Sequence, residues 1–174
     1  SNVEATLFLA KLLLEADDAP EVLRVTESLH RSFPDDARLT AVRAEALAAL
    51  DRHGEAAALW RRIDRQSDHR YATSRLAVSE LIAGELDAGI RRLEHLVQDD
   101  PAAEPELYHL AAAYLAVDRV AEAEDLARRL LAIRGDAWQY SLLHARCLLD
   151  LGRADEAESI LRNTLARTPR SEAI

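Results

Sequence analysis

The feature that most constrains this chain is an internal repeat of 34 residues. The stretch at 81–89 (LIAGELDAG) returns in altered form at 115–123 (LAVDRVAEA) and at 149–157 (LDLGRADEA), each time 34 residues further on. Two more copies fit upstream, at 48–56 and at 14–22. The five repeats that tile the chain are approximately 3–36, 37–69, 70–103, 104–137 and 138–171. Such a period predicts a fold in which one small structural unit is stacked on the next.

Each repeat has the pattern of two amphipathic helices. In the fourth repeat, Leu107, Leu110, Ala111 and Tyr114 recur three and four residues apart, which is helical spacing. A break follows the first helix of every repeat, at a residue type that leaves the right-handed region at low cost. These predicted break residues are Asp17, Asp51, Gly84, Asp118 and Gly152.

Proline marks the ends of the predicted helices. Pro34, Pro101 and Pro169 share one repeat position, where the second helix of a repeat is expected to stop. Pro105 lies in the first turn of a predicted helix, where its missing N–H breaks no helical hydrogen bond. The acidic pairs Asp17–Asp18, Asp35–Asp36 and Asp99–Asp100 fall at helix ends and turns, where they are expected to cap helices or to act as solvated turn residues.

Composition narrows the class of protein. The 174 residues include 31 acidic and 22 basic side chains, a formal net charge of −9 that argues against general nucleic-acid binding. Hydrophobic residues make up 49%, too many for a disordered chain, and no uninterrupted apolar run reaches the length of a membrane span. Only five glycines and five prolines occur, which argues against an all-β fold. The single cysteine, Cys147, excludes an internal disulfide framework.

Counted from the first residue of each repeat, these patterns resemble the tetratricopeptide repeat family over essentially the whole chain. Position 8, small in the family, holds Ala10, Ala44, Ala77, Ala111 and Ala145. Position 20, usually alanine, holds Ala56, Ala123 and Ala157, with Val22 and Gly89 as departures. Arg43 and His144 also depart, because position 7 is normally a buried leucine. The resemblance implies an all-α fold, a right-handed α–α superhelix of about ten antiparallel helices forming a single domain over 1–174.

The resemblance also implies a concave groove lined by the first helices of the repeats. Repeat positions 2, 5, 9, 12 and 13 face such a groove in the family. Carried onto this sequence, they predict a groove with an apolar middle and charged ends. The predicted partner-binding residues are Lys11, Arg38, Glu45, Tyr71, Ser74, Val78, Tyr108, Ala112 and Arg146. The lysine at position 5 that would hold an acidic chaperone tail is missing from every repeat.

The sequence shows no catalytic or cofactor-binding motif, so we predict no enzymatic activity, no catalytic residues and no cofactor. The glycines are isolated and form no phosphate-binding loop. The six histidines are scattered, and His109 and His144, on first helices of neighbouring repeats, lack a third metal ligand, so no metal site is predicted. Cys147 is expected to be a buried, inert thiol, since no base lies beside it in the sequence.

Arginine pairs recur on the second helices, at Arg61–Arg62, Arg91–Arg92 and Arg128–Arg129. Acidic neighbours favour their interpretation as a solvated surface with helical ion pairs. The alternative is a ridge that binds an anionic partner.

The prediction for function is a scaffold that binds a protein or peptide segment in its groove, without nucleic-acid binding or direct membrane insertion. One alternative is a structural spacer that self-associates as a homodimer through the last repeat, near Ile160–Leu165. Another is a regulatory domain of a larger envelope protein, for example in polysaccharide export or secretion. The absence of methionine and the leading Ser1–Asn2 predict a piece of a longer protein. The abundance of alanine and the use of arginine rather than lysine predict a bacterial source, with the cytoplasm or the periplasm as the compartment.

Overall fold

The structure, a computed structural model, describes residues 2–66 and 70–167. Within these residues the chain forms ten helices and no strand. They are α1 (Asn2–Glu15), α2 (Ala19–Ser32), α3 (Ala37–Ala49), α4 (His53–Gln66), α5 (Arg70–Ile82), α6 (Leu86–Asp99), α7 (Glu104–Ala116), α8 (Val120–Ile133), α9 (Trp138–Asp150) and α10 (Ala154–Arg167). These ten helices confirm the predicted all-α class, and two of them fall on each predicted repeat. None of the described helices combines the length and apolar character that a membrane crossing requires.

The turn inside each repeat has the same backbone geometry all five times. Every predicted break residue has a positive φ, from 57° at Asp51 to 88° at Gly84. The next residue then donates its N–H to a carbonyl five residues earlier, as Arg52 does to Leu47 at 2.9 Å and Arg153 to Leu148 at 2.8 Å. This bond satisfies a carbonyl that the helix end leaves without a partner. The break residues therefore end the first helices as the sequence predicted.

Local side-chain chemistry also sets the other helix ends. The Asp36 carboxylate accepts the N–H groups of Arg38 at 2.9 Å and Leu39 at 3.3 Å, and Asp18 accepts that of Glu21 at 3.2 Å. Both are N-caps of the kind predicted for the acidic pairs. Helix α2 ends two residues before Pro34, α6 ends two residues before Pro101, and Pro105 lies in the first turn of α7. Pro169 lies outside the described residues.

The two helices of a repeat touch through their smallest residues. All five position-8 alanines are buried, and so are the residues at position 20. Ala10 packs in one cluster with Val22, Ala44 with Ala56, and Ala145 with Ala157. Small side chains at both positions let the helix backbones approach closely, which the resemblance implied.

The described residues separate into two compact units, one up to Arg92 and one from Leu93 onward. The core of the first unit contains Trp60, Leu76 and Leu39, each almost completely buried. Leu107, Leu130 and Leu148 are buried to the same degree within the second unit. That all five repeats form a single domain stays a prediction.

Two polar residues take the place of the buried leucine at position 7, and each has a partner on the second helix of the preceding repeat. Arg43 donates to the carbonyl of Leu23 at 2.9 Å and to the carboxylate of Glu27 at 2.8 Å. The His144 ring lies 3.0 Å from the buried carboxylate of Glu124. Burial tends to raise the pKa of Glu124, but the His144 hydrogen bond and the Arg128 charge lower it on balance. The departures noted in the sequence thus coincide with specific polar contacts.

The helix contact at Gly89 leaves no room for a side chain. This explains why position 20 of the third repeat holds glycine where the family usually has alanine. A Cβ atom there would lie 2.8 Å from the carbonyl oxygen of Ala77 and 2.6 Å from Cγ of Leu81. We expect Gly89→Ala to lower the free energy of unfolding by about 1–3 kcal/mol, because α5 and α6 must move apart. Gly54→Ala is the matched control, since its Cβ meets nothing within 4 Å and alanine favours a helix. Urea unfolding measures both, and equal stability of the two variants would contradict the steric explanation.

Cys147 is completely buried, as predicted for an inert thiol. Burial, followed by the nearby charge of Glu124, raises the pKa of the thiol to about 11. At pH 8 we expect alkylation of the folded protein to be at least about 100-fold slower than in urea, because the thiolate is the reactive form. Mass spectrometry of iodoacetamide-treated protein measures the rate. Comparable rates in the folded and unfolded states would show that the thiol is accessible and ionised.

Candidate functional site

A groove of about 520 Å³ lies on the first unit, bordered by three first helices. We call it the first groove. Its residues are Glu4, Leu7, Phe8, Lys11, Arg38, Ala41, Val42, Glu45 and Tyr71. Leu7 and Val42 are buried beneath it, whereas the Phe8 ring is 67% exposed at its edge. The first groove therefore offers an apolar floor and an accessible aromatic ring.

Most charges of the first groove are already paired. Arg38 donates to Glu4 at 2.6 Å and to Asp36 at 2.9 Å, so its guanidinium links α1 to the start of α3. Glu45 accepts a hydrogen bond from the Tyr71 hydroxyl. Lys11 forms no ion pair or hydrogen bond with a described residue. Its ammonium group is thus available to an acidic group of a ligand.

Tyr71 is held in place and remains accessible. Its ring meets the buried Trp60 ring edge to face, with centroids 5.9 Å apart, and 59% of the residue is exposed. Desolvation and the hydrogen bond to Glu45 raise the pKa of its hydroxyl to about 12, so the hydroxyl stays protonated at neutral pH. A fixed, exposed aromatic ring contributes contact area to a ligand at low entropic cost.

The second unit has its own concave surface, with a volume of about 490 Å³. We call it the tyrosine surface. Its residues are Glu104, Pro105, Tyr108, Arg134, Ala137, Gln139 and Tyr140. The Tyr108 and Tyr140 rings lie 6.0 Å apart, and the Tyr140 hydroxyl donates to Glu104 at 2.8 Å. Arg134 donates to the same carboxylate at 2.8 Å. The tyrosine surface therefore offers two aromatic rings next to an ion pair between Arg134 and Glu104.

The structure brings together some of the predicted partner-binding residues. Lys11, Arg38, Glu45 and Tyr71 all border the first groove. Ser74 and Val78 are half-buried on α5, outside the residues that border it.

In the second unit, Tyr108 borders the tyrosine surface, and Ala112 is exposed further along α7. Arg146, exposed on α9, pairs with Asp150 at 2.9 Å. Their role in binding stays a prediction.

Two aromatic residues of these surfaces were missed from the sequence. Phe8 lies at repeat position 6 and Tyr140 at position 3, and neither position is among those that line the groove in the family. The only signal in the sequence was that both are large aromatic residues, a type that is common at binding surfaces. Only the structure shows which positions are left uncovered.

Arginines of the second helices mostly contact acidic groups of the fold. Arg61 and Arg92 both reach the carboxylate of Glu80, at 2.9 Å each, and only 1% of Glu80 is exposed. Arg92 also pairs with Asp64 at 3.1 Å. Arg128 similarly pairs with Glu124 at 3.0 Å. These contacts agree with the ion-paired interpretation for Arg61, Arg92 and Arg128.

Metal-ligating side chains are dispersed. Within the part of the chain that the structure describes, no three His, Cys, Asp or Glu residues are grouped as a metal site would need. His144, one of the two histidines considered from the sequence, contacts Glu124. The ring of His109 lies 5.9 Å from that of Tyr108.

Comparison with known proteins supports the same fold. The tetratricopeptide repeat model matches residues 37–62, 107–129 and 138–163. No curated protein sequence matches the chain significantly. The structure of MamA from Desulfovibrio magneticus is 15% identical, with a TM-score of 0.87 over 99% of this chain and 98% of that one. A tetratricopeptide repeat protein from Parabacteroides merdae is 16% identical, with a TM-score of 0.81 over 98% of this chain and 68% of that one.

The three matched segments fall in the second, fourth and fifth repeats, in the register that the alanines at position 8 define. The structural similarity extends over nearly the whole chain and includes the repeats that the family model leaves unmatched. Three of the five repeats therefore match the tetratricopeptide repeat model, and the fold is that of the tetratricopeptide repeat structures it is similar to.

Proposed function

We propose that this chain is a non-catalytic protein-interaction scaffold that binds an extended peptide segment of a partner. The observation that carries the proposal is the first groove, where the exposed rings of Phe8 and Tyr71 border an apolar floor. Exposed aromatic rings around an apolar recess are typical of peptide-binding surfaces. The repeat family and the structural neighbours support the scaffold class.

The chemistry of the first groove indicates the kind of segment. Lys11 is its cation without a partner among the described residues, while Arg38 and Glu45 are already bonded. A peptide with one acidic residue next to one or two apolar side chains fits this arrangement. The acidic residue would reach Lys11, and the apolar side chains would lie against Phe8 and Tyr71.

The test uses a displayed library of random 12-residue peptides. Peptides enriched on the wild-type protein are measured by fluorescence polarisation against Tyr71→Ala and Tyr108→Ala separately. We expect Tyr71→Ala to weaken binding by about 5–30-fold, the loss of one aromatic anchor worth about 1–2 kcal/mol. Circular dichroism melting verifies that each variant remains folded.

Phe33→Ala serves as the matched control for the aromatic substitution. Phe33 is half exposed at the end of α2 and does not border the first groove, so its loss should leave affinity unchanged. Weakening by Tyr108→Ala alone would place binding at the tyrosine surface. Enriched peptides that bind all three variants as tightly as wild type would contradict recognition at either surface.

A second candidate function is self-association through the last repeat. Leu165 on α10 is 74% exposed, and Ile160 and Leu161 on the same helix are only half-buried. An apolar stripe of this kind is expected where a further helix or a second copy packs on a repeat.

Sedimentation velocity tests this candidate over a range of protein concentrations. We expect a concentration-dependent dimer that Leu165→Glu abolishes, because a charged side chain would be buried in the interface. Leu12→Glu, which places the same charge on an exposed leucine of α1, is the control and should leave the dimer intact. A monomer at every concentration would contradict self-association.

A further inference from the structure

Arginine at repeat position 26 connects successive repeats in two places. Arg62 donates through Nη2 to the carbonyl of Pro34 and, at 2.7 Å, to the hydroxyl of Thr40. Arg129 donates through Nη2 to the carbonyl of Pro101 at 2.8 Å. Pro34 and Pro101 both occupy position 32 of the preceding repeat, and Thr40 occupies position 4. A guanidinium at this place therefore binds the loop between one repeat and the next.

The fifth repeat keeps the acceptors of this arrangement but lacks the arginine. Position 26 holds Asn163, position 32 of the preceding repeat holds Gly135, and position 4 holds Ser141. All three border a cavity of about 470 Å³ in the second unit, together with Leu131, Asp136 and Ile160. The cavity thus occupies the place that the Arg62 side chain fills in the second repeat.

The polar groups of this cavity are suited to a cation with several N–H donors. Ser141 is only 6% exposed, and no described residue hydrogen-bonds its hydroxyl, whereas the corresponding hydroxyl of Thr40 accepts from Arg62. Asp136 adds a carboxylate that pairs with no basic side chain among the described residues. The Ser141 hydroxyl and the Asp136 carboxylate can both accept hydrogen bonds, so a ligand that supplies several donors is stabilised between them.

The cavity also contains one positive charge. Arg167 borders it near the end of α10, is exposed, and forms no hydrogen bond with a described residue. Its guanidinium is therefore not the group that satisfies Ser141. Its positive charge lowers the attraction of the cavity for a cation.

We propose that this cavity binds the guanidinium of an arginine side chain supplied by a partner protein, in the place that Arg62 occupies in the second repeat. The planar guanidinium can donate to the Gly135 carbonyl, the Ser141 hydroxyl and the Asp136 carboxylate at once. The proposal rests on the proposed function as an interaction scaffold. It adds a second contact that favours a cation, whereas Lys11 favours an acidic group.

The test is an NMR titration of the ¹⁵N-labelled protein with N-acetyl-arginine methylamide, and with the lysine analogue as the matched ligand. We expect saturating shifts of the Ser141 and Asn163 amides with the arginine compound. The lysine compound should bind at least about fivefold more weakly, because its ammonium lacks the planar fork. Ser141→Ala and Asp136→Asn should each weaken the response to arginine.

Asn163→Arg supplies the missing side chain from within the protein. We expect it to abolish the titration and to raise the melting temperature, as the internal guanidinium bonds the acceptors. Gln98→Arg adds the same charge at an exposed site on α6 and should leave the titration unchanged. Equal binding of the arginine and lysine compounds, or an undiminished response in Asn163→Arg, would overturn the proposal.

The experiments distinguish a failure of the first-groove proposal from a failure of the cavity proposal. Peptides that bind the first groove lose affinity with Tyr71→Ala and are indifferent to Asn163→Arg, since the two substitutions lie in different units. Groove binding without an arginine response would refute only the cavity proposal. The reverse result would refute only the groove.

Discussion

The whole structure depends on the close contact between the two helices of each repeat. At positions 8 and 20 the residues are small in almost every repeat and are fully shielded from solvent. Helix backbones that approach so closely gain dispersion contacts along their length and exclude water from the interface. Between Ala77 and Gly89 the approach is close enough that even a methyl group is excluded. A repeat that failed to close in this way would leave no regular surface for the next repeat to pack against.

The turns between the paired helices follow from the same constraint. The connections inside the repeats are only three residues long, and the middle residue of each adopts a left-handed conformation. Three are aspartates and two are glycines, the residue types for which that conformation costs least. The bond from the following N–H back to the first helix then fixes its last turn. Helix length and turn position are in this way repeated along the chain with little variation.

Between repeats, polar contacts accompany the apolar core. Arg43, His144 and Glu80 occupy positions that are buried or half-buried, and each is neutralised by a partner from a neighbouring helix. A buried charge is tolerated only when it is paired and hydrogen-bonded, so these contacts fix the identity of both partners. Two arginines of the second helices, Arg61 and Arg92, are paired in this way. The ligand contacts that we propose lie where such pairing is incomplete, at Lys11 and in the cavity beside Ser141.

The sequence by itself determined the repeat register, the ten helices, the five turns and the small residues at the helix contacts. These features depend on backbone preferences and on local periodicity, and the same pattern recurs in each repeat. It also indicated that Lys11, Arg38, Glu45 and Tyr71 belong together, because the repeat register places them on first helices. Only the tertiary structure decided that Phe8 borders the same groove, that Glu80 lies between two arginines, and that Asn163 leaves a cavity. Those outcomes depend on distances between side chains from different repeats, and no pattern within one repeat encodes them.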